Sequence, residues 1–264
     1  MKTDIQKLVD IMARLRQPDG CPWDREQDHD TLKRFLVEEA YEVIEAVENK
    51  DHEHLKEELG DLLLQVIFHA QVAEENGAFK LQDVIDGISS KLIRRHPHVF
   101  DKAAGITSKQ VEVQWESIKI NEKKRKEGEG KRSAIDGVPM AMPATLQAVR
   151  LTEKASRVGF DWPGVKEVME KIDEELEELK VSISGTKKEE IKHELGDLLF
   201  AVCNLSRHLE MDPEEAHRAC LVRFRNRFKL MEKMAEEKGK KLSDYSLEEQ
   251  DKLWDKAKEV LKDA

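Results

Sequence analysis

The chain has 264 residues, of which 39% are hydrophobic, 38% are charged and 5% are aromatic. So few aromatic residues, together with only short β-branched runs, argue against a sheet protein and favour amphipathic helices that each bury one stripe. The formal net charge of −10 argues against duplex nucleic acid as a partner, because an acidic chain gains little from counterion release.

The sequence also argues against a membrane location. Its most apolar stretch, Leu62 to Ala73, is interrupted by polar residues and is too short to span a bilayer. The N-terminus has no long apolar core, so we expect no signal peptide. The three cysteines form no CxxC pair and are expected to be reduced thiols in a cytoplasmic protein. These cysteines are Cys21, Cys203 and Cys220.

Two apolar stripes with helical spacing occur in the first half of the chain, and each predicts a helix. The first stripe consists of Ile5, Leu8, Val9, Met12 and Leu15. The second stripe consists of Leu55, Leu59, Leu62, Leu63, Val66 and Ile67. Asn76-Gly77 follows the second stripe and is typical of a helix C-terminus.

A charged, glycine-containing stretch from Asn121 to Ser133 predicts a linker, because it has almost no apolar residues. We therefore predict a first domain over 1–120, a linker over 121–138 and a second domain over 139–264.

Helix signals continue beyond the linker. Asp212-Pro213 predicts a helix start with aspartate as the N-cap, and Ser246 to Glu249 matches a capping box. Alternating strand patterns are absent from the sequence. The predicted fold is therefore all-α, with four or five helices per domain packed as bundles.

The two predicted domains repeat one pattern. Glu38 and Glu174 are 136 positions apart, and so are Glu58 and Glu194. The same offset relates Glu39, Glu42, Gly60 and Asp61 to Glu175, Glu178, Gly196 and Asp197. Flanking glycine–tryptophan and tryptophan–lysine pairs repeat less strictly. Two tandem copies of one helical domain are therefore predicted.

Each copy contains four acidic residues in the pattern EExxE followed by ExxD. Spacings of three and four place side chains on one helix face, so antiparallel pairing of the two helices would bring the carboxylates together. The predicted quartets are Glu39, Glu42, Glu58 and Asp61 in the first copy, and Glu175, Glu178, Glu194 and Asp197 in the second. Oxygen-only ligands suit hard cations such as Mg²⁺ or Mn²⁺.

The neighbours of the second quartet lead to further expectations. Leu195, Leu198 and Leu199 suggest that this face borders a core, and Gly196 would allow a partner helix or a ligand to approach closely. A di-iron carboxylate site, which uses Glu-x-x-His, is the alternative metal site. It is disfavoured because aspartate takes the fourth position and His193 is expected to point elsewhere on the helix.

Basic residues at a spacing of four follow each quartet. Lys91 and Arg95 form the first pair, and Arg223 and Arg227 form the second. Either pair could grip phosphate oxygens or be an ordinary exposed basic face. Trp254 lies one turn before Lys258 and could stack on a base or fill the core.

The motifs quoted so far, together with GCPWDREQ, VEEAYEVIEAV, RRHPHVF and VGFDW, resemble those of the tandem-domain MazG nucleoside triphosphate pyrophosphohydrolases. The resemblance covers nearly the whole chain. It implies Mg²⁺-dependent hydrolysis of a nucleoside triphosphate to a monophosphate and diphosphate, with broad base tolerance and a role in controlling nucleotide pools. It also implies a cytoplasmic homodimer.

The same resemblance implies roles for residues of the second copy, which in this family is usually the catalytic one. Its quartet would bind the metal, and Glu174 or Glu175 would orient or deprotonate the attacking water. The implied substrate contacts are Lys171, Glu190, Ile191, Lys192, His193, Arg223, Arg227, Trp254 and Lys258. The first copy has a complete quartet but differs from the second near RRHPHVF.

Alternatives remain at the level of the sequence. A narrow pyrophosphatase acting on dUTP or phosphoribosyl-ATP would carry similar acidic motifs. A non-catalytic helical module that binds nucleotides or a protein partner is the other alternative. A P-loop NTPase is excluded because the sequence lacks GxxxxGK[ST].

Overall fold

The computed structural model describes residues 5–100, 107, 110–111, 114–115, 118, 122, 133–185 and 187–261. These residues form helices and turns without a β-strand, so the predicted all-α fold is confirmed. The chain divides into two compact units, Met1–Glu129 and Gly130–Ala264.

The first unit is built around a pair of long helices, α3 (His29–Glu48) and α4 (His52–Glu75). A connection of only three residues joins them, and α1 and α5 both pack against α4. Up to residue 100, the helices of this unit are α1 (Ile5–Leu15), α2 (Pro22–Glu26), α3 (His29–Glu48), α4 (His52–Glu75), α5 (Leu81–Arg95) and α6 (Pro97–Phe100).

In the second unit, α8 (Val165–Ser184) and α9 (Lys188–His208) form a long helix pair that corresponds to α3 and α4. Helix α7 packs against both α9 and α10, while α10 pairs with α11. The helices of this unit are α7 (Ala144–Ser156), α8 (Val165–Ser184), α9 (Lys188–His208), α10 (Pro213–Glu236) and α11 (Leu247–Val260), with a 3₁₀ turn at Leu242–Asp244.

The predicted helix boundaries are confirmed. Helix α4 ends at Glu75, and Gly77 adopts a positive φ of 69°, which a residue with a Cβ would adopt at a cost. The side chain of Asp212 accepts hydrogen bonds from the backbone N–H groups of Glu214 and Glu215. Ser246 and Glu249 form the reciprocal capping box.

Apolar side chains from α1, α3 and α4 form the core of the first unit. Met12, Leu32, Ile67, Phe68 and Val72 are its buried members. Leu8, Val9 and Leu15 pack around them, which accounts for the stripe predicted on α1. The core between α10 and α11 is smaller and contains Met231, Leu253 and Ala257.

Glu122 ties a later part of the first unit to the end of α5. Its carboxylate accepts hydrogen bonds from Arg94 Nε at 2.6 Å and from Arg95 Nη2 at 2.7 Å. Glu122 is one of the residues assigned to the linker from the sequence, and it is helical here. The remainder of the predicted linker up to residue 132 lies outside the described residues.

No helix among the described residues is both long enough and apolar enough to cross a membrane.

We expect Glu122→Gln to lower the free energy of unfolding of the full chain by about 1.5–3 kcal/mol at pH 7, the range for hydrogen bonds to charged groups. Hydrogen bonds from Arg95, and then from Arg94, lower the pKa of Glu122 to about 2 against the opposing effect of burial. In the unfolded chain, a glutamate carboxyl has a pKa of about 4.3. The stabilisation is therefore complete above that pH and is lost as the pH falls towards 2.

Urea unfolding of the two proteins at pH 7, 4 and 2.5 measures this difference. Asp30→Asn is the matched control, because the Asp30–Lys33 ion pair is exposed and should contribute little. A Glu122→Gln difference that stays constant across this pH range would contradict the prediction.

Candidate active site

Three carboxylates of the first copy converge between α3 and α4. Glu39, Glu42 and Glu58 place one oxygen each within 4.8 Å of one another. Burial raises the pKa of Glu39, and the charges of Asp61, Glu42 and Glu58 raise it further. The pKa of Glu58 is also raised, mainly by burial and then by Glu42. Asp61 is not part of the 4.8 Å group, but its charge acts on both glutamates.

The second copy repeats this arrangement between α8 and α9. Glu175, Glu178 and Glu194 have oxygens within 4.8 Å of one another, and Glu175 is buried. Asp197 belongs to an adjoining group that it shares with Glu194 and His193. At such separations two ionised carboxylates repel by about 3.5 kcal/mol at an effective dielectric constant of about 20. The cluster therefore requires positive charge.

Lys171 supplies part of that charge. Its Nζ lies 2.8 Å from Glu174 Oε1 and 2.8 Å from Glu175 Oε1. Hydrogen bonds to Glu174 and Glu175 raise the pKa of Lys171 above its usual range, against the opposing effect of burial. A fixed ammonium group on Glu175 indicates a position that favours a cation.

The donor set fits a hard divalent cation. The group formed by Glu175, Glu178 and Glu194 offers carboxylate oxygens alone, which is the ligand chemistry that Mg²⁺ and Mn²⁺ share. The corresponding group of the first copy has the same composition.

The expected orientation of His193 was wrong. Its Nδ1 lies 2.8 Å from Asp197 Oδ2, because a spacing of four residues places both side chains on one face of α9. In the first copy the residue at the same offset is Glu57, so this histidine–aspartate contact belongs to the second copy alone.

The expectations for the leucines and glycine around Asp197 also need correction. Leu195 and Leu199 are 46% and 58% exposed, so within the chain they do not border a core. Among the described residues, a Cβ built on Gly196 would meet no atom within 4 Å, so none of the described neighbouring helices approaches it closely. The same is true of Gly60 in the first copy.

A pocket adjoins the second carboxylate cluster. Glu175 and Asp197 form its polar end together with Lys171, while Trp162 and Phe200 provide aromatic walls. Asn204, which is 1% exposed, lies at its inner end. The pocket thus places charged side chains next to aromatic ones.

The first copy fills the equivalent space with larger side chains. At the offset of 136, Phe35 corresponds to Lys171, Gln65 to Ala201, and Phe68 to Asn204. Phe68 is buried in the core, and Phe35 packs beside it with its ring 5.7 Å from that of Trp23. The two copies therefore share a carboxylate cluster but differ in the side chains that lie beside it.

Asn204 and Phe200 were missed in the sequence. The signal that could have revealed Asn204 is the offset itself, since a polar residue takes the place of Phe68 in an otherwise apolar stripe. Phe200 lies one turn before Asn204 on α9 and resembles an ordinary core residue in the sequence.

The basic and aromatic residues predicted to contact substrate form a second group on α10 and α11. The guanidinium of Arg227 lies 5.7 Å from the centre of the Trp254 ring, and the centre of the Phe224 ring lies 5.3 Å from it. Arg223 is exposed, and Lys258 pairs with Asp255 at 2.9 Å. Within the described residues, no ion pair joins this group to the carboxylates.

The remaining predicted contacts lie at the start of α9. Glu190 pairs with Lys187 at 2.7 Å, and Lys192 is exposed. Ile191 is half-buried, and His193 contacts Asp197 as described. These residues occupy the turn that leads directly into Glu194.

The basic pair of the first copy differs from that of the second. Arg95 is held by Glu122, and its guanidinium lies 5.8 Å from the centre of the Trp115 ring. Lys91 is half-buried one turn earlier on α5. A carboxylate of the chain thus already neutralises Arg95, the second member of the first copy's basic pair.

Comparison with known proteins agrees with the duplicated site. A family model described as the MazG nucleotide pyrophosphohydrolase domain matches residues 27–100 and 164–237. The nucleoside triphosphate pyrophosphohydrolase/pyrophosphatase MazG of Thermotoga maritima is 49% identical over 96% of this chain and 95% of its own length. The nucleoside triphosphate pyrophosphohydrolase of Escherichia coli K12 is 40% identical over 96% of this chain and 97% of its own length.

A solved structure, a MazG-related protein from Thermotoga maritima, is 32% identical over 44% of this chain and 99% of that chain, with a TM-score of 0.39. The family model covers more than half of the chain, and it matches once in each copy. The chain belongs to the MazG nucleotide pyrophosphohydrolase family.

Proposed function

We propose that this chain is a nucleoside triphosphate pyrophosphohydrolase that converts a nucleoside triphosphate and water to a nucleoside monophosphate and diphosphate. The observation that carries the proposal is the convergence of Glu175, Glu178 and Glu194 beside a pocket with aromatic walls. The activity is that named for relatives that match almost the whole chain. Broad base tolerance, which the family resemblance implies, is part of the proposal.

We assign the catalytic role to the second copy. Its carboxylates adjoin a pocket, whereas Phe35, Gln65 and Phe68 fill the equivalent space in the first copy. The second copy also leaves Arg227 on the face of Trp254, while Arg95 in the first copy is paired with Glu122. The first copy keeps a carboxylate cluster that could still bind a cation.

Mg²⁺ is the proposed cofactor, held by Glu175, Glu178, Glu194 and Asp197, with Mn²⁺ as a substitute. When bound, it supplies positive charge to the triphosphate and increases the acidity of water. Glu174 lies outside the three-carboxylate group and shares Lys171 with Glu175, so we assign to Glu174 the orientation and deprotonation of the attacking water. Once a cation neutralises Glu175, Lys171 is free to contact a phosphate oxygen.

Arg223, Arg227 and Lys258 would neutralise phosphate charge, and the Trp254 ring would stack against the nucleotide. The turn from Glu190 to His193 would border the bound substrate, because it leads into Glu194. This part of the proposal rests on the family resemblance together with the clustering of Arg227 and Trp254.

We further propose that the chain acts as a cytoplasmic homodimer. Exposed apolar side chains recur at the offset of 136 on α4 and α9, and a second copy of the chain would cover them. These side chains are Leu59, Leu63 and Val66 on α4, and Leu195, Leu199 and Val202 on α9. The three cysteines are free thiols, which supports a reducing compartment.

We expect Glu175→Gln and Asp197→Asn to lower Mg²⁺-dependent turnover by at least about a hundredfold, because each removes a charge that the cation site requires. The matched changes Glu39→Gln and Asp61→Asn should leave turnover within about twofold. Phosphorus NMR of the products from a panel of ribo- and deoxynucleoside triphosphates provides the measurement.

Several results would count against the assignment. Full activity in both second-copy variants would remove the proposed active site. Equal losses from the two sets of variants would assign catalysis to both copies. Turnover of a single nucleotide would favour a narrow pyrophosphatase, and no turnover by the unmodified chain would favour a binding module.

Lys171→Met should strengthen the binding of Mn²⁺ in the absence of nucleotide by about fivefold, because the ammonium competes with the cation for Glu175. The same change should lower kcat/KM, since the phosphate contact is lost. Calorimetric titration with Mn²⁺ and steady-state kinetics measure the two effects. Lys180→Met is the control, because Lys180 pairs only with the exposed Glu177. Weaker Mn²⁺ binding in Lys171→Met would contradict the competition.

Leu199→Glu should convert the dimer to a monomer, because a charge on the covered apolar face would be buried without a partner. Light scattering coupled to size-exclusion chromatography measures the mass in solution. Leu247→Glu, at an exposed leucine that begins α11, is the control and should leave the mass unchanged. A monomeric wild-type protein would exclude the proposed dimer.

A further inference from the structure

Asn204 is a fully buried polar residue at a position where the first copy has a phenylalanine. Its side chain lines the inner end of the pocket and is 1% exposed. Burying an amide is unfavourable unless hydrogen bonds compensate for the loss of water. Phe68 at the same offset shows that the helix pair can be packed without an amide there.

Arg207 determines which way the amide faces. Its Nε donates a hydrogen bond to Asn204 Oδ1 at 3.0 Å. A guanidinium has donors only, so the atom turned towards it must be the oxygen of the amide. This is the one hydrogen bond to the Asn204 side chain among the described residues. The two N–H donors of Nδ2 are therefore directed away from Arg207.

Asp161 holds Arg207 in place. The guanidinium donates two hydrogen bonds to the carboxylate, one of them from Nη1 to Oδ2 at 3.0 Å, and His208 Nε2 lies 3.2 Å from Oδ1. Burial tends to raise the pKa of Asp161, but Arg207 and then His208 outweigh it, so that the pKa is lowered. The Arg207 side chain is 15% exposed and that of Asp161 is 27% exposed, so the arginine is the better shielded member of the pair.

The same network positions an aromatic wall of the pocket. Asp161 Oδ1 accepts a hydrogen bond from the backbone N–H of Trp162 at 2.9 Å. One ionic pair thus fixes both the Trp162 backbone and the Asn204 amide. In the first copy Gln71 takes the place of Arg207, so the network belongs to the copy that has the pocket.

Asn204 lies some distance along α9 from the carboxylates at which the triphosphate would bind. Asp197 and Asn204 are seven residues apart, which corresponds to a rise of about 10 Å on one helix face. A triphosphate held at Glu175 and Asp197 would therefore place its nucleoside part, and not its phosphates, near the amide.

We propose that Asn204 is a specificity-determining residue whose Nδ2 donates a hydrogen bond to an acceptor atom on the nucleoside part of the substrate, with Arg207 and Asp161 as positioning residues. The inference rests on the proposed function. An oxygen or ring nitrogen of the base and a hydroxyl oxygen of the sugar offer the same acceptor chemistry.

Two variants of the full chain test the donor role. Asn204→Asp keeps the shape and the oxygen that accepts from Arg207 but removes the donor. Asn204→Leu removes the donor without adding charge. We expect each to raise KM for ATP about tenfold, with kcat within about threefold, because one hydrogen bond to the substrate is lost.

Inorganic triphosphate, which has no nucleoside, serves as the probe of the phosphate end. Its inhibition constant should stay within about twofold in both Asn204 variants. Gln65→Leu, at a buried amide of the first copy, is the matched control and should leave KM unchanged.

The positioning role of Arg207 has its own readout. Arg207→Gln should raise KM for ATP by less than Asn204→Leu does, and the double variant should be no worse than Asn204→Leu alone, because both changes remove one interaction. Additive losses would overturn the positioning role.

A comparison of the increase in KM among several nucleotides identifies which substrate atom accepts the hydrogen bond from Asn204. A loss that is equal for ATP and 2′-deoxyATP but differs among bases supports an acceptor on the base. A loss confined to ribonucleotides supports the 2′-oxygen of the sugar.

An unchanged KM in either Asn204 variant would overturn the proposal, as would an equal weakening of inorganic triphosphate. Either result, with wild-type turnover intact, leaves the proposed function standing. Absence of turnover by the wild-type protein would overturn both.

Discussion

The repulsion between carboxylates held close together is the interaction on which the organisation of this protein depends. Glu175, Glu178 and Glu194 lie within 4.8 Å of one another, and Glu175 is buried. Such an arrangement is stable only when positive charge is present, and Lys171 provides part of it. The pairing of α8 with α9 holds the three carboxylates together, because Glu175 and Glu178 lie on one of these helices and Glu194 lies on the other. Electrostatic strain is thereby concentrated at one place, where a divalent cation would relieve it.

The two copies of the domain differ in how they accommodate the repulsion between these carboxylates. The first copy keeps its three glutamates and raises the pKa of Glu39 and Glu58, while Phe35 and Phe68 complete an apolar core beside them. The second copy has Lys171 and Asn204 at these positions, and both residues line a pocket there. The Asp161–Arg207 ion pair lies beside this pocket and belongs to the second copy, because Gln71 takes the place of Arg207 in the first. One copy is thus suited to stability and the other to binding.

The exposed leucines follow from the same helix pair. A helix that carries carboxylates on one face and packs against its partner on another has a third face left over. On α4 and α9 this face holds Leu59, Leu63, Leu195 and Leu199, all of which are exposed within the chain. Glycine at positions 60 and 196 keeps the surface between them open. The homodimer proposed above would cover this apolar surface.

The sequence by itself determined the helical class, the helix ends at Asn76, Asp212 and Ser246, and the convergence of the glutamates, because each depends on spacing within a helix or on local capping. The family and the duplication also followed from short motifs and their offset. Tertiary structure decided that His193 meets Asp197, that Leu195 and Leu199 face outward, and that Arg95 is neutralised by Glu122. It alone placed Asn204 at the pocket and turned its amide through Arg207. These features depend on contacts between distant segments, whose rotation about each helix axis is set by packing and not by periodicity.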